Sequence, residues 1–364
     1  MKYPIVKPFL PDLLHYQSHI SDIFQRNWLT NNGPCVEMLT EKLKGYLGVE
    51  HLLLVANGTL ALHVAYQTMS ITKTITTPFT FAATSGALRL QNIQMRFSDV
   101  CDKTFNLDPK KVKEQDLEWA DSLVPVHVFG NPCDVNAIQS LAEKYNLKVI
   151  YDAAHCFGSE YQGQSLLNFG DCATLSLHAT KMFHSVEGGA IIFKHQADFE
   201  KAKKIINFGQ NQSQLPVLVG TNAKMSEMHA AMGLSVFESV DLIMSHRRAL
   251  QQEYIKQLTE YVDLQEHAIG AEFNGAYMPT LLKNQDELLY LKQKLEDNGI
   301  QTRRYFYPCL SDLDTYAKSV AMPNARSISS RILCLPMYYD LSFEDVGIIC
   351  NIVKSILTNF RQKV

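Results

Sequence analysis

The chain has 364 residues, is 46% hydrophobic and 20% charged, and carries a formal net charge of −3 at pH 7. That balance is ordinary for a globular enzyme and gives no global attraction to nucleic acid or to an anionic membrane. The length exceeds one small core, so a large unit with a smaller one is expected.

Eight cysteines are scattered at 35, 101, 133, 156, 172, 309, 334 and 350 without a C-x-x-C pair. That spacing favours reduced thiols over a disulfide framework or a zinc site. The start, Met-Lys-Tyr-Pro-Ile-Val-Lys-Pro, has no apolar signal region, and no run of about 18 apolar residues occurs, so a cytoplasmic protein with no membrane partner is expected.

In chain order, Leu52–Ala56 reads as a strand leading into a helix near 59–69, and Thr74–Thr77 as a strand leading into a helix near 80–90. Ile93–Phe97, Leu123–Val126 and Lys148–Tyr151 are further strands, the last two flanking a helix near 134–145. Asp171–Ser176 and Ala190–Phe193 follow as buried strands. A long helical pattern runs from Met225 to Tyr254. Strands near 275–282 and 331–335 and helices near 285–298 and 342–358 then form a second unit. The expected division is a large unit over 1–245 and a small one over 246–364. The strand–helix alternation predicts an α/β fold whose large, mostly parallel sheet is covered on both faces. Ligands bind such sheets at the carboxyl ends of strands. The polar residues there are Asn57-Gly58-Thr59, Pro78-Phe-Thr-Phe81, His127 and Asp152-Ala-Ala-His155.

Lys181 is the odd residue. It lies between two apparent core strands, after Ser176 and before Gly188-Gly189. Burial there disfavours an ammonium and lowers its pKa, which makes an amine nucleophilic toward aldehydes and points to Schiff-base chemistry. Pyridoxal phosphate chemistry needs, besides that lysine, an acid for the pyridine nitrogen, a phosphate cradle and a flat group against the ring. Asp152 ends a strand and suits the nitrogen; alone it reads equally as a helix cap. Gly58 and Thr59 open a helix whose free N–H groups suit a phosphate, although such turns are common. Ser176 can reach the same phosphate or bond to backbone. Phe81 can stack on the ring or pack in a core. His155 can donate to the ring's phenolic oxygen or be a satisfied core histidine. No G-x-G-x-x-G, P-loop, H-E-x-x-H or G-x-S-x-G motif offers another chemistry.

Several stretches together resemble one family. They are Gly58-Thr-Leu-Ala-Leu62, Thr77-Pro-Phe-Thr-Phe-Ala-Ala-Thr84, Val124-Pro-Val-His-Val-Phe-Gly130, Asp152-Ala-Ala-His155, Ser176-Leu-His-Ala-Thr-Lys181, Glu187-Gly-Gly189 and Gly220-Thr-Asn-Ala-Lys-Met-Ser-Glu227. In order and over nearly the whole chain they look like the DegT/DnrJ/StrS family of nucleotide-sugar aminotransferases, fold type I pyridoxal phosphate enzymes. The resemblance implies that Lys181 bonds the cofactor, Asp152 pairs with the pyridinium, His155 contacts the phenolic oxygen, and Phe81 stacks on the ring. It also implies that Gly58, Thr59 and Ser176 hold the phosphate. Asn222 would reach the phosphate of a neighbouring subunit, which makes the unit a homodimer; only the resemblance suggests this role. It further implies L-glutamate as amino donor. The run His178–Gly189 looks most like enzymes that aminate C-4 of a dTDP-4-keto-6-deoxyglucose-type sugar for bacterial surface polysaccharides such as O-antigen. Ser185 departs from an expected threonine but keeps the hydroxyl. The alternatives are a C-3 aminotransferase, or a non-catalytic cofactor- or sugar-binding regulator. A dehydratase of this family has histidine in place of Lys181.

Overall fold

The structure, a computed structural model, describes residues 2–316 and 321–362. Helices Leu13–Arg26 (α1) and Pro34–Leu47 (α2) precede the sheet. Next come His51–Val55 (β1), Gly58–Met69 (α3), Lys73–Thr76 (β2), Ala82–Leu90 (α4), Gln94–Phe97 (β3), Glu114–Trp119 (α5), Ser122–Val124 (β4), Val135–Tyr145 (α6) and Lys148–Asp152 (β5). Short strands Glu160–Tyr161 (β6) and Gln164–Ser165 (β7) lead to Cys172–Ser176 (β8) and Gly189–Phe193 (β9). Helices Gln196–Ile205 (α7), Glu227–Phe237 (α8) and Val240–Leu258 (α9) follow. The rest comprises Ala271–Glu272 (β10), Met278–Leu281 (β11), Gln285–Asp297 (α10), Pro323–Arg331 (α11), Ile332–Leu335 (β12) and Phe343–Arg361 (α12).

Seven strands form the main sheet in the order β1-β9-β8-β5-β4-β2-β3. The five from β8 to β3 run parallel, and β9 is antiparallel to both neighbours. The reason is the connection. Parallel neighbours need a crossover, here usually a helix, whereas 177–188 is a helix-free loop that returns the chain directly. The strands bury both faces, which is why they read as continuous apolar runs. Alternate residues of the same strands part into two cores. Leu52, Leu54, Val149, Tyr151, Leu175 and Ile192 pack with α2, α6 and α8 on one face. Leu53, Val55, Ile150, Cys172, Ile191 and Phe193 pack with α3, α4 and α7 on the other.

The expected single helix from Met225 to Tyr254 is two. The chain turns at Glu238–Ser239, between α8 and α9. Apolar spacing continues across the break because both helices bury a face, so periodicity alone does not register a change of direction. Helices α1, α2, α5, α7 and α11 are not among those expected from the sequence. Helix α9 joins two cores: Val240, Ile243 and Met244 belong to the sheet core, while Leu250, Tyr254 and Leu258 belong to a second one. There β11 and β12 pair antiparallel, with Leu288, Leu291 and Leu295 of α10 and Ile349, Val353 and Leu357 of α12 packed beside them. Tyr3 joins the same core and bridges to Ile300. A seam cluster that includes Phe79, Phe97, Val128 and Phe129 meets Phe306, Ile328 and Ile332. Burying a phenylalanine of this kind contributes about 1.5–3 kcal/mol. The eight cysteines are free. Among the described residues no helix is long and apolar enough to cross a membrane.

Candidate active site

Lys181 sits in the 177–188 loop that joins β8 to β9. The loop is pinned by Leu177 N–H to the Gly188 carbonyl (2.8 Å), Ala179 N–H to Val186 (2.7 Å) and Ser185 N–H to Leu177 (2.9 Å). Lys181 N–H itself donates to the His178 carbonyl at 2.8 Å. Two glycines bring three chain segments together here. A Cβ on Gly58 would lie 2.8 Å from Cβ of Ser176, and one on Gly189 would lie 2.6 Å from the Asn57 carbonyl. The ends of β8 and β9 thus press against the first turn of α3. Asn57 caps that helix through Leu60 N–H at 2.9 Å. Its other first-turn N–H groups have no partner within the helix, and with the positive end of the dipole they suit an anion.

Lys181 Nζ lies 3.3 Å from the Tyr277 hydroxyl. Burial holds its ammonium below the usual lysine range, although Asp152, Tyr305 and Cys156 favour the charge. Asp152, at the tip of β5, is 5% exposed. The Thr84 hydroxyl donates to its Oδ2 at 2.6 Å and Ala154 N–H to its Oδ1 at 3.1 Å. Burial still raises its carboxyl above the usual range, against Thr84, Ala154 and Lys181. Lysine and aspartate each favour the other's charge, yet desolvation outweighs that attraction for both. Such a site gains from a polar guest that pairs with both groups.

The His155 ring accepts Phe129 N–H on Nδ1 at 3.1 Å. Burial, then Lys181, pushes it well below the ordinary histidine range. The ring is therefore neutral with its proton on Nε2, which makes Nε2 a donor. Its ring centroid lies 4.6 Å from that of Tyr277.

These groups line one cavity of about 730 Å³. Gly58, Thr59, Phe81, Asp152, His155, Ser176 and Lys181 all reach its wall. Phe81 is 55% exposed and faces the cavity instead of packing in a core. Asn222 is not on the wall; it is exposed, and it bridges to Asn207. His127, at the end of β4, is not on the wall either. It stacks on Tyr151 at 4.3 Å.

The opposite wall was missed in the sequence. Tyr277, Arg303, Tyr305 and Phe306 come from beyond residue 270. Tyr305 and Phe306 fall in a conspicuous aromatic run, but no spacing aims them at Lys181. Tyr277 is positioned through Arg247, whose buried guanidinium donates to the carbonyls of Gly275 (3.2 Å), Ala276 (2.7 Å) and Met337 (3.1 Å). Thr84, the partner of Asp152, carried no signal beyond its place in a matched stretch. At the rim, His178 Nε2 lies 3.5 Å from Glu187 Oε1.

Comparison with known proteins agrees with this geometry. The DegT/DnrJ/EryC1/StrS aminotransferase family model matches residues 15–354. The chain is 38% identical over 364 aligned residues to a dTDP-4-amino-4,6-dideoxy-D-glucose transaminase of Shigella dysenteriae, covering 97% of this chain and 98% of that protein. It is 34% identical to a transaminase of the same name from Escherichia coli, with the same coverage. The crystal structure of DesI in the presence of its TDP-sugar product superposes with a TM-score of 0.91 at 27% identity, covering 99% of this chain and 94% of that one. The chain belongs to the DegT/DnrJ/EryC1/StrS aminotransferase family, and its cofactor is pyridoxal 5′-phosphate.

Proposed function

We propose that this nucleotide-sugar aminotransferase moves an amino group from L-glutamate to C-4 of dTDP-4-keto-6-deoxyglucose, supplying an amino sugar for a bacterial surface polysaccharide such as O-antigen. The observation that carries the reading is Lys181 and Asp152 in one cavity, each held off its ordinary charge balance by burial. The names of the two transaminase relatives supply the sugar and its carbon.

The residues fit the cofactor. Gly58 leaves no side chain between the α3 N-terminus and Ser176, so N–H groups and the Thr59 and Ser176 hydroxyls can grip a phosphate. A pyridinium nitrogen against Asp152 gives that buried carboxylate the cation it lacks. Phe81 presents an open face to the ring, and His155 Nε2–H suits the phenolic oxygen. When bound, pyridoxal phosphate supplies an aldehyde that takes the amine and a ring that draws electrons from the neighbouring carbon.

The protein's own work is then positional and protonic. Lys181 Nζ, whose ammonium form burial disfavours, takes the α-carbon proton of L-glutamate, which gives up its amine and, with water supplying the keto oxygen, leaves as 2-oxoglutarate. In the second half the same nitrogen returns a proton as the sugar ketone becomes an amine. Tyr277, whose phenol burial keeps protonated, stays within reach of Nζ and orients it. The two half-reactions share one partly enclosed cavity, so orientation supplies much of the rate.

We place Asn222 at the phosphate of a second copy, which makes the homodimer the active unit. Its exposure and its position off the wall support this. The same reading sets a large unit over 1–245 and a small one over 246–364 in a cytoplasmic protein with no nucleic-acid or membrane partner. The separate core beyond Leu250 supports the division, whose boundary falls inside α9.

A product assay tests the function. Holoenzyme with L-glutamate and dTDP-4-keto-6-deoxyglucose should give a sugar whose C-4 proton shows attached nitrogen by NMR. Amine at C-3, or no amine from any nucleotide form of the sugar, would overturn it.

A further inference from the structure

Arg303 is the one arginine on the cavity wall among the described residues, and nothing in the chemistry above uses it. Its guanidinium carbon lies 4.9 Å from the Tyr305 ring centroid. It forms no side-chain hydrogen bond and no ion pair with a described carboxylate. Its neighbours differ. Arg304 donates to the Ser329 and Ser330 carbonyls at 3.2 and 3.1 Å and packs on the Tyr307 ring. Arg247 holds three carbonyls. Those two fasten the fold, while the donor fork of Arg303 is left open to the cavity.

Position narrows the ligand. The Tyr305 ring stands edge-on to Tyr277 at 5.7 Å, and the Tyr277 hydroxyl is 3.3 Å from Lys181 Nζ. Among the described contacts the guanidinium thus meets the reacting lysine only by way of these two rings. An anion on the reacting carbon itself, such as an α-carboxylate, would lie beside Lys181. Arg303 is placed for an anion further out. Both substrates have one: the γ-carboxylate at the far end of glutamate, and the diphosphate at C-1, across the sugar ring from C-4. They occupy the cavity in alternate half-reactions, so one cation can serve both. Of the other basic groups on the wall, His155 is neutral, His63 is lowered by burial and bonded to Gln91, and His178 faces Glu187.

We infer that Arg303 is a shared anion subsite that binds the distal anion of each substrate in turn, first the γ-carboxylate of the amino donor and then the diphosphate of the nucleotide sugar. The inference rests on the function proposed above. A guanidinium meets a carboxylate or a phosphate with paired hydrogen bonds, so one side chain suits both.

The test uses holoenzyme and Arg303→Gln, with Arg303→Lys as the conservative variant. One arm follows the loss of the cofactor's visible band against L-glutamate concentration. The other titrates dTDP by calorimetry, which needs no turnover. The glutamine variant should require roughly tenfold or more of each ligand, with its saturated rate, resting spectrum and melting temperature close to those of the parent. The lysine variant should recover part of both affinities. Weakening of one ligand alone would overturn the sharing. Unchanged affinities, or a lower saturated rate at unchanged affinity, would overturn the subsite. A parent enzyme that ignores L-glutamate would instead sink the proposed function, and that shows before any variant is made.

Discussion

The two walls of the cavity are built differently. The sheet wall carries Asp152 and Ser176 at strand ends, Gly58 on the first turn of α3 packed against Ser176, and Lys181 on the hydrogen-bonded loop that joins β8 to β9. The far wall carries Tyr277, Arg303, Tyr305 and Phe306, on irregular chain before β11 and between α10 and α11. Their supports are more varied: Arg303 bridges Cys334 of β12, Gln251 donates to the Tyr277 carbonyl at 2.9 Å and Ser329 to that of Phe306 at 2.6 Å, Arg247 makes its three bonds, and rings stack in parallel, such as Phe306 over His155 at 6.0 Å and 8°. A rigid sheet suits groups that must meet a reacting atom in one geometry; loops suit the recognition of what varies between substrates. Substitutions on the sheet wall should therefore remove chemistry, and those on the far wall should adjust rate or affinity.

The largest effect is expected at Lys181. Lys181→Ala should lower turnover at least about 10³-fold while cofactor still binds, measured by steady-state product formation. Retained turnover would break the division between walls at its centre. Asp152→Asn keeps the size and can still accept from Thr84, but it removes the charge; a kcat loss of about 10²–10³-fold is expected, with the variant still folded by circular dichroism. Gly58→Ala pushes a Cβ against Ser176. The strain of such overpacking, about 1–3 kcal/mol, should weaken cofactor binding by roughly tenfold in a fluorescence titration. On the far wall Tyr277→Phe deletes only the hydroxyl near Lys181 Nζ, and kcat should fall about tenfold or less. A loss as large as that of Asp152→Asn would put Tyr277 with the chemistry.

The smallest effect concerns stability at a strand end that packs without reacting. Burial pushes His127 down to about 3, and its Nε2 has no partner among the described residues. An unfolded histidine takes up its proton near pH 6.5. Between those values the unfolded chain binds a proton that the folded chain refuses. Folding stability should therefore fall as pH drops below about 6.5, by about 1.4 kcal/mol per pH unit from this residue. His127→Asn should flatten that slope in urea midpoints taken at pH 7 and pH 5, and an unchanged slope would remove His127 as its source.

The same contrast explains what could be read in advance. Strands such as β5 and β8 announce themselves because both faces are buried; the strand-end rule then points to Asp152, and Lys181 stands out as a charge between two buried strands. That rule points equally to His127, which is core, because it locates positions without saying which way a side chain faces. The break between α8 and α9 was invisible because both helices keep an apolar stripe. Tyr277 and Arg303 were invisible for a different reason. Their place depends on how the chain beyond α9 folds back over the sheet, a long-range arrangement that no local spacing encodes. Asn222 came from resemblance alone, and its place off the cavity wall shows why geometry within one chain had no means to propose it.

The central claim is that Lys181 is the lysine that carries the cofactor. Reduction of the resting holoenzyme with borohydride, followed by peptide mass mapping, tests it directly. A reduced pyridoxyl group on the peptide containing Lys181, absent when L-glutamate is added before the borohydride, is the result predicted. The group on another lysine, or on none, would contradict the account.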